Sequence, residues 1–304
     1  MRKVTNSYKI LQAGNLLIRL SFFVLVLAAY VWPATGQEIQ TAPARKHIAI
    51  NKTPILTIEG AYQHFEVDRL GNLFLISAQG NQIKEYNAKG DSINRYDNTR
   101  SYGPITSIDV SNPLKIAVFY SDFSTIVVLD RYLSPVNTID LRKAGIWEAR
   151  AIATSYDNLY WVYDQQEAKI KKVDGQGEVR FASSDMRQVF DREVNPEKLF
   201  DQDGLLYTYD ASYGWYVFDY YGALNQKVPV KGLLDPLVEQ SVLTGRVAGK
   251  IWLLPAARAT LSNPVWQPLP ISGTIRQTKF DPASGKLWVL TDTGLSVYPL
   301  VAHP

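Results

Sequence analysis

After position 46, apolar residues come in short runs broken by Asp, Asn and Gly; the runs are rich in Val, Ile, Tyr, Trp and Thr and show no helical periodicity. That pattern predicts strands joined by tight turns. In the first unit the breakers Asp68 to Asn72, Gln79-Gly80-Asn81 and Asn87 to Asp91 separate four apolar segments, as a four-stranded meander requires. Central segments such as Ile126 to Leu129 and Lys286 to Leu290 run apolar on both faces, so each needs cover from both sides. A sheet sandwiched between two neighbouring sheets gives that cover.

The unit repeats. Gly71-Asn72-Leu73-Phe74-Leu75 is echoed by Leu114-Lys115-Ile116-Ala117-Val118, Asn158-Leu159-Tyr160-Trp161-Val162, Gly204-Leu205-Leu206-Tyr207-Thr208, Gly249-Lys250-Ile251-Trp252-Leu253 and Gly285-Lys286-Leu287-Trp288-Val289. Aligning Leu73, Ile116, Leu159, Leu205, Ile251 and Leu287 gives steps of 43, 43, 46, 46 and 36 residues. A period of 40 to 45 residues is that of four-stranded propeller blades. The prediction is an all-β protein, a β-propeller of about six blades, with seven as the alternative count.

From Thr274 the last copy supplies only three strands, and the β-rich segment His47 to Ile58 is expected to add the fourth, closing the ring. Pro255, Pro264, Pro268 and Pro270 interrupt the fifth copy, where a distorted blade or a long excursion is expected.

The N-terminus reads differently. Arg2, Lys3, Lys9 and Arg19 precede the apolar run Leu20 to Trp32, and Ala34-Thr35-Gly36 offers small residues for cleavage before Gln37. This predicts a signal peptide over 1–36, a polar linker over 37–46 and one propeller domain over 47–304. A retained anchor is the rival, but Arg19 limits the clean apolar run to 13 residues, and a spanning helix wants about 20. Both readings put the domain outside the cytoplasm, in the periplasm or at the outer membrane, with no span left after cleavage.

Charge and cysteine content narrow the partners. Four of the 32 basic residues lie in the leader, leaving 28 against 29 acidic ones, without the basic footprint of a nucleic-acid binder. No cysteine is present, which excludes disulfides, thiolate metal sites, a cysteine nucleophile and a lipid-bearing cysteine.

The segment Ile105-Thr106-Ser107-Ile108-Asp109-Val110-Ser111-Asn112-Pro113-Leu114-Lys115-Ile116-Ala117-Val118-Phe119-Tyr120-Ser121-Asp122-Phe123 resembles a family of exported, propeller-like proteins of Bacteroidetes bacteria. The resemblance implies an envelope location and a propeller fold, and it carries over no catalytic residue. The chain also looks distantly like the outer-membrane assembly propellers that act as scaffolds, although the lipid-attachment cysteine of those proteins is missing.

Catalytic chemistry finds little support. His47, His64 and His303 are the only histidines, no nucleophile elbow flanks a serine, and no spacing gathers zinc ligands. Asp201-Gln202-Asp203-Gly204 starts like a calcium loop but lacks the later ligands, and Asp-Gly turn chemistry accounts for it. We therefore assign no catalytic or metal residue and no cofactor. The alternative is a calcium ion held in the channel by carboxylates such as Glu66, Asp109 and the positions flanking Lys279.

What remains is a binding surface. Turns between second and third strands should gather on one face and present Tyr120, Asp122, Phe123, Gln165, Tyr213, Arg258 and Asp292 around the channel mouth. Trp215 joins them through the aromatic run Tyr213 to Gly222. The expected function is non-enzymatic: a binding or scaffolding propeller that docks an envelope or secreted protein on one face. The alternatives are a calcium-dependent propeller hydrolase or lyase, and a carbohydrate-binding module presenting Trp215 or Trp252 to a glycan.

Overall fold

The computed structural model describes residues 48–97, 102–255, 265–269 and 274–302, all within the compact unit His47–Pro304. Two short strands come first, β1 (Ile48–Ile50) and β2 (Leu56–Glu59). Blade one holds β3 (Tyr62–Val67), β4 (Leu73–Ser77), β5 (Gln82–Tyr86) and β6 (Ser92–Asp97); blade two holds β7 (Ser107–Asp109), β8 (Ile116–Tyr120), β9 (Thr125–Leu129) and β10 (Pro135–Asp140). Blade three holds β11 (Ala149–Thr154), β12 (Tyr160–Asp164), β13 (Lys169–Val173) and β14 (Val179–Ala182), followed by the helix α1 (Met186–Phe190). Blade four holds β15 (Lys198–Gln202), β16 (Leu205–Asp210), β17 (Gly214–Asp219) and β18 (Leu224–Val228). Blade five holds β19 (Leu234–Glu239), β20 (Val242–Val247), β21 (Lys250–Pro255) and β22 (Val265–Pro268), and blade six β23 (Ile275–Asp281), β24 (Lys286–Thr291) and β25 (Gly294–Ala302).

Each blade is an antiparallel meander, and the six first strands touch in the cyclic order β3, β7, β11, β15, β19, β23 and back to β3. The chain is a six-bladed β-propeller, with its first strands around the axis. Burial follows from that placement. The middle strands β8, β9 and β12 are buried at every position, whereas the rim strand β10 exposes its first four residues. Apolar side chains from facing sheets form six clusters, one between each pair of neighbouring blades; Phe74, Ile76, Ile108 and Val118 meet between blades one and two. Each such side chain contributes roughly 1.5–3 kcal/mol when fully buried.

Ring closure uses the N-terminal segment, as the short last copy requires. The long β25 pairs with β2 from Leu56↔Val297 to Glu59↔Gly294 and with β1 from Ile48↔Ala302 to Ile50↔Leu300. Near the axis, the Gln277 amide clasps blade one: its Oε1 accepts from Phe65 N at 2.8 Å and its Nε2 donates to Phe65 O at 2.9 Å.

Blade five corrects the repeat register. Ile251 lies in the third strand, β21; the second strand is β20, whose Leu243 is fully buried. The two-residue turn Ala248-Gly249, with φ of 47° and 74°, is the same left-handed hairpin turn that joins β15 to β16 at Asp203-Gly204. Similar turn chemistry made the two hairpins look alike in sequence. Of the expected proline-rich excursion, Pro255 ends β21 and Pro268 ends β22, while Pro264 and Pro270 lie outside the described residues.

A cleaner repeat sits in the turns. Asn87, Asp130, Asp174 and Asp219 each accept two backbone N–H groups, from positions two and four residues on, at 2.8–3.0 Å. Each begins the turn between the third and fourth strands of its blade, at steps of 43, 44 and 45 residues. The residue three on is left-handed, as Gly90, Gly177 and Gly222 permit; Leu133 takes the conformation in blade two and is buried there.

Candidate binding faces

Antiparallel meanders sort the turns onto two faces. Turns between first and second strands and between third and fourth share one face; turns between second and third strands share the other with the connections between blades. A central channel of about 770 Å3 reaches the first–second turns at Arg69, Ser111, Gln240 and Ala283, and takes in no second–third turn. The channel mouth therefore lies opposite the face expected from the sequence. The chain leaves the axis at the end of each first strand, so the hairpin that follows rims the channel. The next turn lies one strand length away and one strand further out.

Charges of the innermost strands are paired, within β3 at His64–Glu66 and across blades at Lys279–Glu239 and Arg150–Glu197. His64 Nε2 and Glu66 Oε1 are 3.0 Å apart, Lys279 Nζ lies 3.5 Å from Glu239 and Arg150 lies 3.8 Å from Glu197. Burial alone would raise the Glu66 pKa, but hydrogen bonding and charge from His64, with Lys279 and Lys198 nearby, hold it below the usual carboxylate range. Asp109 caps the next blade, accepting from Thr154 N at 2.6 Å. Among the described residues no group of three or more His, Asp or Glu side chains is placed to hold a metal ion. Asp201 accepts from Ser155 Oγ and Trp161 Nε1, both at 2.7 Å, and from the Tyr220 hydroxyl, tying blades three and four together.

The expected site residues separate into three groups. Asp122 and Phe123 sit exposed in the second–third turn of blade two, with the Arg142 guanidinium 5.8 Å from the Phe123 ring. Gln165, Tyr213 and Asp292 occupy the equivalent turns of blades three, four and six; Arg192 covers the Tyr213 ring at 3.9 Å, and Asp292 pairs with Arg276 at 2.6 Å. Tyr120 and Trp215 are core residues, which corrects their placement on the surface. Tyr120 is fully buried with its hydroxyl 3.2 Å from that of Tyr96, and Trp215 is packed between Tyr209 and Phe200. Both belong to middle strands covered on two sides, the position in which an aromatic contributes most to blade packing. Trp252, the other ring offered to a glycan, is buried too. Arg258 lies outside the described residues.

Sequence reasoning missed Trp147. It stands in the connection between blades two and three, is 62 % exposed, and has its carbonyl fixed by Ser124 Oγ at 2.8 Å. Buried Ile146 and Ala149 anchor the backbone on either side. A groove of about 800 Å3 opens beside it, lined by Gln166, Glu167, Asp185, Arg187 and Gln188.

The groove walls are held by ion pairs. Buried Lys171 reaches Asp164 at 2.7 Å and Glu167 at 3.0 Å, and Lys169 reaches Glu167 at 2.9 Å. Asp185 caps α1 by accepting from Arg187 N at 2.9 Å and pairs with its guanidinium at 2.7 Å. Hydrogen bonds from Lys169 and Lys171 hold the Glu167 carboxyl below the usual range, and Arg187 does the same for Asp185. Gln165 N donates to Glu148 O at 2.9 Å, joining the second–third turn of blade three to the segment that carries Trp147. The legible signal was a tryptophan in a polar connection just after Gly145, outside any strand.

No protein-family model matches the chain, and no curated protein matches its sequence. Solved structures do match its fold. A streptogramin B lyase is similar at a TM-score of 0.53 and 15 % identity, over 78 % of each chain. A catalytically inactive virginiamycin B lyase from Staphylococcus aureus with quinupristin is similar at 0.52 and 15 %, over 78 % of this chain and 80 % of that one. The Pan2 WD40 domain of Neurospora crassa gives 0.51 and 12 %, over 79 % and 89 %. At these identities the likeness is one of fold, and the fold it supports is the β-propeller.

Proposed function

We propose that the protein is an exported, non-enzymatic binding propeller of the cell envelope that docks a polypeptide on the face of the second–third turns. Trp147 is the observation that carries this reading. A large ring, mostly in solvent yet fixed at its backbone, beside a groove of carboxamides and ion pairs, has the makeup of an interface anchor with a polar rim. Gln166 and Gln188 offer both donors and acceptors to a peptide backbone, and Phe123 extends the apolar contact toward blade two. The leader supports the exported address, and the engagement of Glu66, Glu197 and Glu239 in ion pairs favours binding over metal-dependent hydrolysis.

The test uses the unit His47–Pro304, whose ring closes on its own strands, as bait in envelope extract. Wild type is expected to retain a discrete protein that Trp147→Ala loses at least ~10-fold, the effect of about 1.4 kcal/mol. Val136→Ala, a change on an exposed rim strand, should retain it fully. Equal recovery by Trp147→Ala and wild type would retire the reading.

A further inference from the structure

The channel-mouth face carries a different chemistry. On blades one to three its turn tips end in Leu70, Leu114, Tyr132 and Tyr156, which are 68 %, 66 %, 58 % and 72 % exposed. Three of these stand next to a cation in sequence, as Arg69-Leu70, Leu114-Lys115 and Arg131-Tyr132. Arg69, Lys115 and Arg131 are exposed, and among the described ion pairs none has a carboxylate partner.

Carboxylates on the same turns are already engaged within the protein. Asp68 is buried and accepts from Leu70 N and Asn72 N, both at 2.8 Å, and from the Asn72 amide at 3.0 Å. Asp130 accepts from Tyr132 N and Ser134 N at 2.9 Å, and Asp157 pairs with Lys172 at 2.6 Å. Lys115 Nζ donates to Asn158 of the next blade's turn at 3.4 Å, and within its own turn the Arg131 guanidinium lies 4.5 Å from the Tyr132 ring. Across the ring, the first–second turns of blades four to six end instead in Asp203, Gln240, Ser241 and Ala283, and the third–fourth turn of blade four carries Tyr221, 89 % exposed and without a neighbouring cation in sequence.

We propose that this arc is a membrane-facing surface that seats Leu70, Leu114, Tyr132 and Tyr156 among anionic lipid headgroups, with Arg69, Lys115 and Arg131 on the phosphates. Two features favour lipid over a folded protein. Each apolar tip is isolated on its own turn, so a rigid partner would bury little between tips, whereas a fluid headgroup layer closes around each one. A cation next in sequence to three of the four apolar tips is also the arrangement by which interfacial segments hold apolar groups at the acyl boundary and positive charge at the phosphates. This inference is independent of the docking groove, which lies on the opposite face.

Flotation of His47–Pro304 with phosphatidylcholine vesicles, with and without phosphatidylglycerol, tests it. The protein should float with the anionic vesicles, float poorly with the neutral ones, and be released by salt. Combined Arg69→Gln, Lys115→Gln and Arg131→Gln should weaken partitioning about 100-fold, as three cations at about 1 kcal/mol each imply. Leu70→Ser with Leu114→Ser should weaken it while leaving the salt dependence, and Trp147→Ala should change nothing. Unaltered melting temperatures establish that each variant is folded. No flotation with either vesicle, equal flotation by the triple glutamine variant, or loss in Trp147→Ala would each overturn the proposal.

Discussion

The two faces of the ring differ in how their apolar residues are supported. On the docking face Trp147 lies beside a groove braced by Lys171, Asp164, Glu167 and Arg187. On the mouth face Leu70 and Leu114 project singly, and Tyr156 rests on Tyr220, from turns whose acceptors are spent on their own backbones or on a neighbouring lysine. A braced groove suits a partner with a fixed shape, and separate tips suit one that flows. Support, more than exposure, distinguishes the two.

The largest effect is expected where that bracing is cut. Lys171→Met leaves Asp164 buried without its cation and should cost about 3–5 kcal/mol in urea unfolding, with part recovered when Asp164→Leu is added. A cost near zero would mean that the groove wall does not depend on the pair. On the mouth side, Asp201→Ala strips the acceptor from Ser155, Trp161 and Tyr220 and should cost about 2 kcal/mol. Because Tyr220 stacks on Tyr156 at 5.1 Å, that variant should also weaken vesicle flotation while leaving partner capture at Trp147 intact.

Acid should next separate blade three from the rest of the ring. Glu167 and Asp185 in the groove have lowered folded-state pKa values, so the stability they lend is complete above the ordinary carboxylate range of about 4 and is lost as pH falls through the lowered values. Asp157 and Asp174 are lowered too, by Lys172 against the cost of burial and by backbone and Arg180 hydrogen bonds, which makes blade three the most acid-sensitive part of the ring. Hydrogen exchange below about pH 4 should rise first over 149–190. A uniform rise around the ring would contradict the assignment. Smallest of all, Leu70→Ser and Leu114→Ser should shift stability by no more than about 0.5 kcal/mol, since these tips touch little in the free protein.

Much of the fold was legible because a propeller repeats its constraints. Strands such as Ile126 to Leu129 had to be covered on both faces, and the three-strand last copy had to borrow a strand, which β1 and β2 provide. Blade five was misread because the Ala248-Gly249 and Asp203-Gly204 turns share one chemistry, so turn composition identified a hairpin without telling which one. The Asx turns at Asn87, Asp130, Asp174 and Asp219 would have fixed the register of the first four blades more firmly than the strand alignment.

The site was harder. Aromatic residues in Tyr213 to Gly222 serve packing and surface alike, and only the two-sided cover of β17 decides that Trp215 is core. Ser124, next to Phe123, bonds the Trp147 carbonyl, a contact across 23 residues of sequence that no local pattern announces.

The most direct test is face-resolved photo-crosslinking in cells that produce the protein, with one photoreactive residue placed at position 147 or at position 156. We predict a discrete protein adduct from position 147 and lipid adducts from position 156. Protein adducts of the same mass from both positions, or lipid from position 147, would contradict the division of labour between the faces.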